Sequence, residues 1–202
     1  MYEGGVLLAA FLAGSVPFSN LVVRFKKGVD LRDTEYRTVS GTSVYRVAGW
    51  WALVVSGILD VAKGAVGPLL AGNHTTLAAI AGGLAVAGHN WSPYLRGQGG
   101  RGIAPALGAL LVNAWPGAIV ILVALVVSRA FRHTGLGAFV GEVALTPVLA
   151  VTYGPCGALA GGAIAAPMLV KRIVGNERPT EPGWRTYAHR LLYDHDPGAP
   201  TP

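Results

Sequence analysis

Hydrophobic residues fall along this chain in long blocks. Uncharged runs extend from Gly4 to Val23, from Gly64 to Leu95, from Gly102 to Ser128 and from Val143 to Val170. Each is close to or beyond the roughly 18 apolar residues that mark a transmembrane helix. Four such runs in one short chain exclude a soluble globule. Breaks between them predict one helix over Gly4–Val23, a hairpin of Val47–Ala71 with Thr75–Leu95, and a second hairpin of Thr134–Val151 with Pro155–Val170. The stretch between Arg101 and Arg129 holds 27 uncharged residues, enough for one tilted helix at ~1.5 Å per residue but short for two full spans. A single span would strand Arg129 and Arg132 on the wrong side. Two short helices broken at Trp115-Pro116 are therefore expected, because proline cannot donate its backbone hydrogen bond and restricts the residue before it; a re-entrant pair is the fallback. The expectation is an all-α, polytopic membrane bundle of about seven transmembrane helices.

Composition agrees with that solvent and charge sets its orientation. The 202 residues are 52% hydrophobic and 13% charged, about half the usual charged fraction, with a mean hydropathy of +0.48. Of 16 Lys and Arg, six lie between Arg24 and Arg46, and five are Lys171, Arg172, Arg178, Arg185 and Arg190. The opposite turns, Gly72-Asn73-His74, Asn113 to Pro116 and Tyr153-Gly154-Pro155, carry no Lys or Arg. By the positive-inside rule the basic loops and the C-terminus are cytoplasmic and the N-terminus is outside. The net charge of +6 thus reads as membrane topology and not as a nucleic-acid surface. Only Met1, Tyr2 and Glu3 precede the first apolar run, so a retained first helix is expected instead of a cleaved leader. Cys156 is a single cysteine in an apolar run, which excludes a disulfide scaffold. Gly137 with Gly141 and Gly157 with Gly161 have the four-residue spacing of close helix contact, within one bundle or across a dimer. Residues 1–178 form the expected membrane domain and 179–202 a cytoplasmic tail, in which Trp184, Tyr187, Leu191 and Tyr193 beside Arg185 and Arg190 suggest an interfacial helix or a packed cytosolic tail; the Pro/Gly-rich end from Asp196 reads as frayed.

Polar residues gather in three places. Ser40-Gly41-Thr42-Ser43 with Arg46 stands just before an apolar helix. It reads either as capping by Thr42 or Ser43 or as a phosphate site at a helix N-terminus. His89, Asn90 and Trp91 lead to Gly97-Gln98-Gly99-Gly100-Arg101-Gly102, where successive amides can form an anion nest; a flexible turn is the alternative. This is not a P-loop, since the Lys-Ser/Thr ending is absent. His89 is open to three readings: a base, a phosphate donor or an interfacial polar residue. Asp60 and Lys63, three apart within an apolar helix, share a face and can neutralise one another, either for function or as a structural pair, and Glu142 is ambiguous in the same way. Lys171, Arg172, Asn176, Glu177 and Arg178 fit a stop-transfer cluster.

Gly14-Ser15-Val16-Pro17-Phe18, Thr42 and Arg46, Asp60-Val61-Ala62-Lys63-Gly64, and Gly88-His89-Asn90-Trp91 leading to Gly99-Gly100-Arg101-Gly102 together resemble the bacterial acyl-phosphate:glycerol-3-phosphate acyltransferase family. The likeness runs in order from about residue 13 to 108 and more weakly to about 178. It implies a multi-pass enzyme of the bacterial plasma membrane whose three cytoplasmic motif loops meet. Such an enzyme transfers a fatty acyl group from acyl phosphate to glycerol 3-phosphate, giving lysophosphatidic acid, with no metal or other cofactor and no nucleic-acid partner. On this resemblance Arg101, Arg46 and Asn176 are the candidate catalytic residues. Ser40, Gly41, Thr42, Ser43, His89, Gly99, Gly100, Gly102 and Arg172 are candidates for holding substrate phosphates, and Asp60 with Lys63 braces the second helix.

The chain also departs from the family pattern. Tyr36, Arg37 and Thr38 stand where the family has a Ser-Gly-Asn step, unless a gap brings Ser40-Gly41 onto it. Gln98 and Arg101 replace two lysines, and Ile173 replaces a histidine. Arginine keeps the charge but not the reach of lysine. These departures leave open a non-catalytic paralogue, or an anion-binding or transport protein on the same bundle.

Overall fold

The computed structural model describes residues 1–34, 38–179 and 181–197; Tyr36 and Arg37 of the shifted motif, and the end of the tail, lie outside them. The described residues form α-helices and two short 3-10 turns, without a strand. α1 (Tyr2–Ser15) and α2 (Phe18–Lys27) are separated at Val16-Pro17, with Val16 extended (φ −60°, ψ 120°), the conformation a following proline favours. α2 continues past the apolar run through Arg24, Lys26 and Lys27, and stops at Gly28 in the left-handed region (φ 70°).

The loop after α2 returns through Asp30, whose side chain accepts the Arg32 amide at 3.0 Å. α3 (Gly41–Ala48) follows, and its cap differs from expectation. Ser40, rather than Thr42 or Ser43, is the N-cap: its Oγ accepts the Ser43 amide at 3.2 Å, three residues on, the spacing a capping hydroxyl reaches. The Ser43 hydroxyl is spent on Ser40 and Thr38, at 2.9 Å each. A second difference is the break at Gly49 (φ 81°), which divides α3 from α4 (Trp50–Ala71) where one helix from Val47 was expected.

α5 (Thr75–Asn90), rich in Ala and Gly, packs against α1, α4, α6 (Ile103–Asn113) and α8 (Thr134–Val174). Its lack of large side chains lets four neighbours approach, as in membrane bundles generally. α6 ends at Ala114 and α7 (Trp115–Ala130) begins beside it, so the uncharged stretch divides next to Trp115-Pro116 as expected. α8 is interrupted at Gly154 (φ 63°, ψ −146°), before Pro155. Its two arms fold back on each other, with Gly161 against Leu145 and Thr146, while Gly137 and Gly141 face Ser128 and Ala124 of α7. These glycines therefore serve contacts within the bundle. α9 (Trp184–Tyr193) packs on α8, the packed form of the tail.

Three helical stretches, residues 2–27, 50–71 and 134–174, are long and apolar enough to cross a membrane. Leu8, Ile58, Leu69, Leu122, Val126 and Val151 are exposed on the outside, an apolar periphery that suits lipid and not water. Charged groups are inside instead: Asp60, Lys63, Glu142, Lys171, Arg172 and Arg190 are buried.

Candidate phosphate-binding site

The site is built where the end of α5, the glycine loop and the start of α3 converge. α5 ends at Asn90, and Ser92 Oγ donates to the Ser15 carbonyl at 2.6 Å, tying the loop to the break between α1 and α2. The loop then folds back along α5. A Cβ on Gly99 would run into the carbonyls of His89 and Asn90, and one on Gly100 into His89 Nε2, with the Val39 carbonyl at 2.8 Å. Only glycine lets the backbone lie this close. Asn176, after α8, clasps Gly99 from the other side: its Oδ1 accepts the Gly99 amide at 3.3 Å and its Nδ2 donates to the Gly99 carbonyl at 3.0 Å. Gly102 (φ 83°) caps α6.

Behind the loop lies a cavity of about 10 Å³ lined by Ser15, Ser19, Asp60, Lys63, His89 and Ser92 among others, room for about one water-sized group. Asp60 Oδ1 is 2.7 Å from Lys63 Nζ and Oδ2 accepts Ser19 Oγ at 2.7 Å. Lys63 Nζ also donates to the Val16 carbonyl at 2.6 Å, the carbonyl the helix break turns inward. His89 Nδ1 is 4.0 Å from Asp60 Oδ1. A buried pair with additional hydrogen bonds is the arrangement that offsets desolvation. Asp60, Lys63 and Ser19 thus back the loop from one side, and its opposite side faces away from this network.

On that side stands Arg101. Its Nη1 donates to the Lys171 carbonyl at 2.8 Å and its Nε is 2.7 Å from Asp194 Oδ1. The segment before α3 meets the loop at the Val39 carbonyl, the neighbouring hydroxyls of Thr38, Ser40 and Ser43 bond one another, and Gly41, Thr42 and Arg46 are exposed on α3. Nearby, hydrogen bonds from the Arg32 guanidinium hold the Asp30 carboxyl well below the usual carboxylate range, and Arg32 Nη1 reaches the Leu95 carbonyl at 3.5 Å.

Most of the sequence candidates therefore meet: Gly99, Gly100, Gly102, His89, Asn176 and Arg101 at the loop, with Ser40 and Ser43 alongside and Asp60 with Lys63 behind. Arg172 does not join them. Buried at 1% exposure, it donates to the carbonyls of Leu191, Leu192 and Gly135 and faces Glu142 Oε1 at 3.5 Å, so its guanidinium is committed to the tail. Sequence reasoning gave no role to Ser15, Ser19, Ser92 or Asp194, and read Lys171 as a topology signal. The Gly14–Phe18 motif was the available pointer to the two serines around Pro17. No signal marked Asp194, which reaches Arg101 only through the folding of the tail.

A helical bundle with an apolar periphery, a buried ion pair and a glycine loop carrying one arginine at its end has the build of a multi-pass membrane protein. It belongs to the glycerol-3-phosphate acyltransferase family, whose model matches residues 5–178. A relative from Dehalococcoides mccartyi strain 195, glycerol-3-phosphate acyltransferase 5, is 37% identical over 142 residues, covering 68% of this chain and 60% of its own. This chain thus matches about three-fifths of that relative's length. The glycerol-3-phosphate acyltransferase of Rhodospirillum rubrum is 36% identical over 159 residues (73% of each chain), and that of Synechococcus strain CC9902 is 34% identical over 169 residues (82% of this chain, 84% of the relative). Among solved structures, the glycerol 3-phosphate form of PlsY, an integral membrane glycerol 3-phosphate acyltransferase, superposes with a TM-score of 0.80 at 23% identity, over 97% of this chain and 94% of the other. That likeness establishes a shared fold.

Proposed function

We propose that the chain transfers a fatty acyl group from acyl phosphate to the 1-hydroxyl of glycerol 3-phosphate, giving lysophosphatidic acid and inorganic phosphate. It would do so at the cytoplasmic end of a seven-span bundle in a bacterial plasma membrane, with the N-terminus outside. The spans would be α1 with α2, α4, α5, α6, α7 and the two arms of α8. The observation that carries this reading is the glycine loop pinned between α5 and Asn176 with Arg101 at its edge, in a chain of this family.

The chemistry asks little of side chains beyond placement. Acyl phosphate is already activated: the glycerol oxygen forms its bond to the acyl carbon as the bond from that carbon to the phosphate oxygen breaks, and the hydroxyl proton leaves on the released phosphate. Fixed amides and Arg101 hold two anions together and stabilise charge developing on the carbonyl and the departing phosphate. Asp60 and Lys63 pair with each other and bond Ser19 and the Val16 carbonyl inside the bundle, which supports a bracing role over a transport pathway. The test is labelled glycerol 3-phosphate incorporated into lysophosphatidic acid by purified protein given acyl phosphate. Turnover well above an Arg101→Ala variant is expected, and none above that control overturns the reading.

A further inference from the structure

Among the described residues, the buried cations have counter-ions with one exception. Lys63 pairs with Asp60, Arg172 with Glu142 and Arg190 with Asp196. Lys171 is as buried as Arg172, at 1% exposure. Among the described residues no carboxylate lies within ion-pairing distance of its ammonium and no acceptor is hydrogen-bonded to it; its Nζ stands 5.4 Å from the Trp91 ring centroid. A stop-transfer lysine at a helix end would extend to water; this one is held in. An indole face offsets only part of the cost of burying an ammonium.

The surroundings add positive charge. The Lys171 carbonyl receives Arg101 Nη1 at 2.8 Å, which seats the guanidinium on the same turn of α8, and the neighbouring Asp194 faces Arg101 Nε at 2.7 Å. Arg101 is therefore anchored on the backbone of Lys171, and its own counter-ion is Asp194. Asp194 reaches that place as the left-handed C-cap of α9 (φ 69°, ψ 17°), and it lies beyond residues 5–178 matched by the family model.

We propose that Lys171 and Arg101 together form a two-cation site for a substrate phosphate, and that the Asp194 carboxylate occupies it when no phosphate is bound. A phosphate group carries close to two negative charges near neutral pH and balances both cations, where one carboxylate balances one. That this phosphate belongs to a substrate rests on the acyl-transfer reading; that the site takes phosphate does not.

The experiment is calorimetric titration of full-length purified protein with glycerol 3-phosphate and, separately, inorganic phosphate, alongside turnover. Lys171→Gln is expected to weaken binding of at least one probe by about tenfold or more, with Lys171→Arg recovering most of it, and Asp194→Asn is expected to tighten binding several-fold. Loss confined to glycerol 3-phosphate assigns the site to the acceptor, and loss confined to inorganic phosphate assigns it to the departing group. Unchanged affinity for both probes in Lys171→Gln overturns the proposal, as does a wild type that binds neither. Should Lys171→Gln fail to fold, Asp194→Asn decides, and absence of tightening overturns the proposal. A wild type that binds phosphate through Lys171 yet transfers no acyl group leaves the site standing and removes the acyl-transfer reading.

Discussion

At the scale of single residues, the glycine loop depends on what stands behind it. Asp60 and Lys63 are 3% and 4% exposed and each holds a partner on the α1–α2 break. Removing either leaves the other as a buried charge, so Asp60→Ala or Lys63→Ala should destabilise the protein by roughly 3–5 kcal/mol. The double change Asp60→Leu with Lys63→Met should cost clearly less than either, because no orphan charge remains. Thermal unfolding in detergent reads both. Gly100 tests the loop itself: Gly100→Ala places a methyl against His89 Nε2 and the Val39 carbonyl, and the loop must shift. A displacement near 1 Å can cost about 100-fold in rate, so turnover should fall by one to two orders of magnitude while the melting temperature moves little. Wild-type turnover in Gly100→Ala would mean that the loop does not position substrate.

At the scale of elements, the loop joining α2 to α3 carries its own pH dependence. Asp30 accepts from the Arg32 amide and, through both oxygens, from its guanidinium, which keeps its folded pKa below that of the unfolded chain. A depressed carboxylate contributes stability above its unfolded value and loses that contribution as pH falls. Amide protection factors at Arg32 and Asp33, corrected for the intrinsic pH dependence of exchange, should therefore hold near neutral pH and fall as pH drops below about 4, and Asp30→Asn should abolish the dependence. The elements themselves were largely legible from sequence, because lipid demands long apolar helices and exposes every charge by contrast; the hairpin at Gly154 followed from its uncharged turn, and the division beside Trp115-Pro116 from the proline and from keeping Arg129 and Arg132 on the basic side. The break at Gly49 was not legible, since apolar sequence continues through it, and the one at Val16 was marked only by Pro17 inside an uncharged run. In the site, Asp60, Lys63 and the glycine loop stood out for the same reason of contrast. The pairing of Asn176 with the Gly99 backbone, and of Arg172 with the tail carbonyls, did not, because a backbone partner leaves no mark in the partner's side chain.

At the scale of the whole molecule, the tail is joined to the bundle through arginines, Arg172 foremost. Arg172 makes four hydrogen bonds, to Leu191, Leu192, Gly135 and Glu142, and so fastens α9 to both arms of α8. Arg190 adds bonds to the carbonyls of Val174 and Glu177 and pairs with Asp196. The tail is in turn what carries Asp194 to Arg101, so its docking and the charge around Arg101 are linked. Arg172→Leu should unfasten it: three carbonyls lose their donor, and Glu142 is left buried without a cation. The bundle should then lose several kcal/mol, and α9 should become open to proteolysis that the wild type resists. If the tail acts on the site only through Asp194, phosphate binding in Arg172→Leu should resemble that of Asp194→Asn, since either change removes the competing carboxylate from Arg101. Weaker binding in Arg172→Leu with tighter binding in Asp194→Asn would show instead that α9 also holds Arg101 and Lys171 in place, making the tail part of the site's framework as well as its occupant.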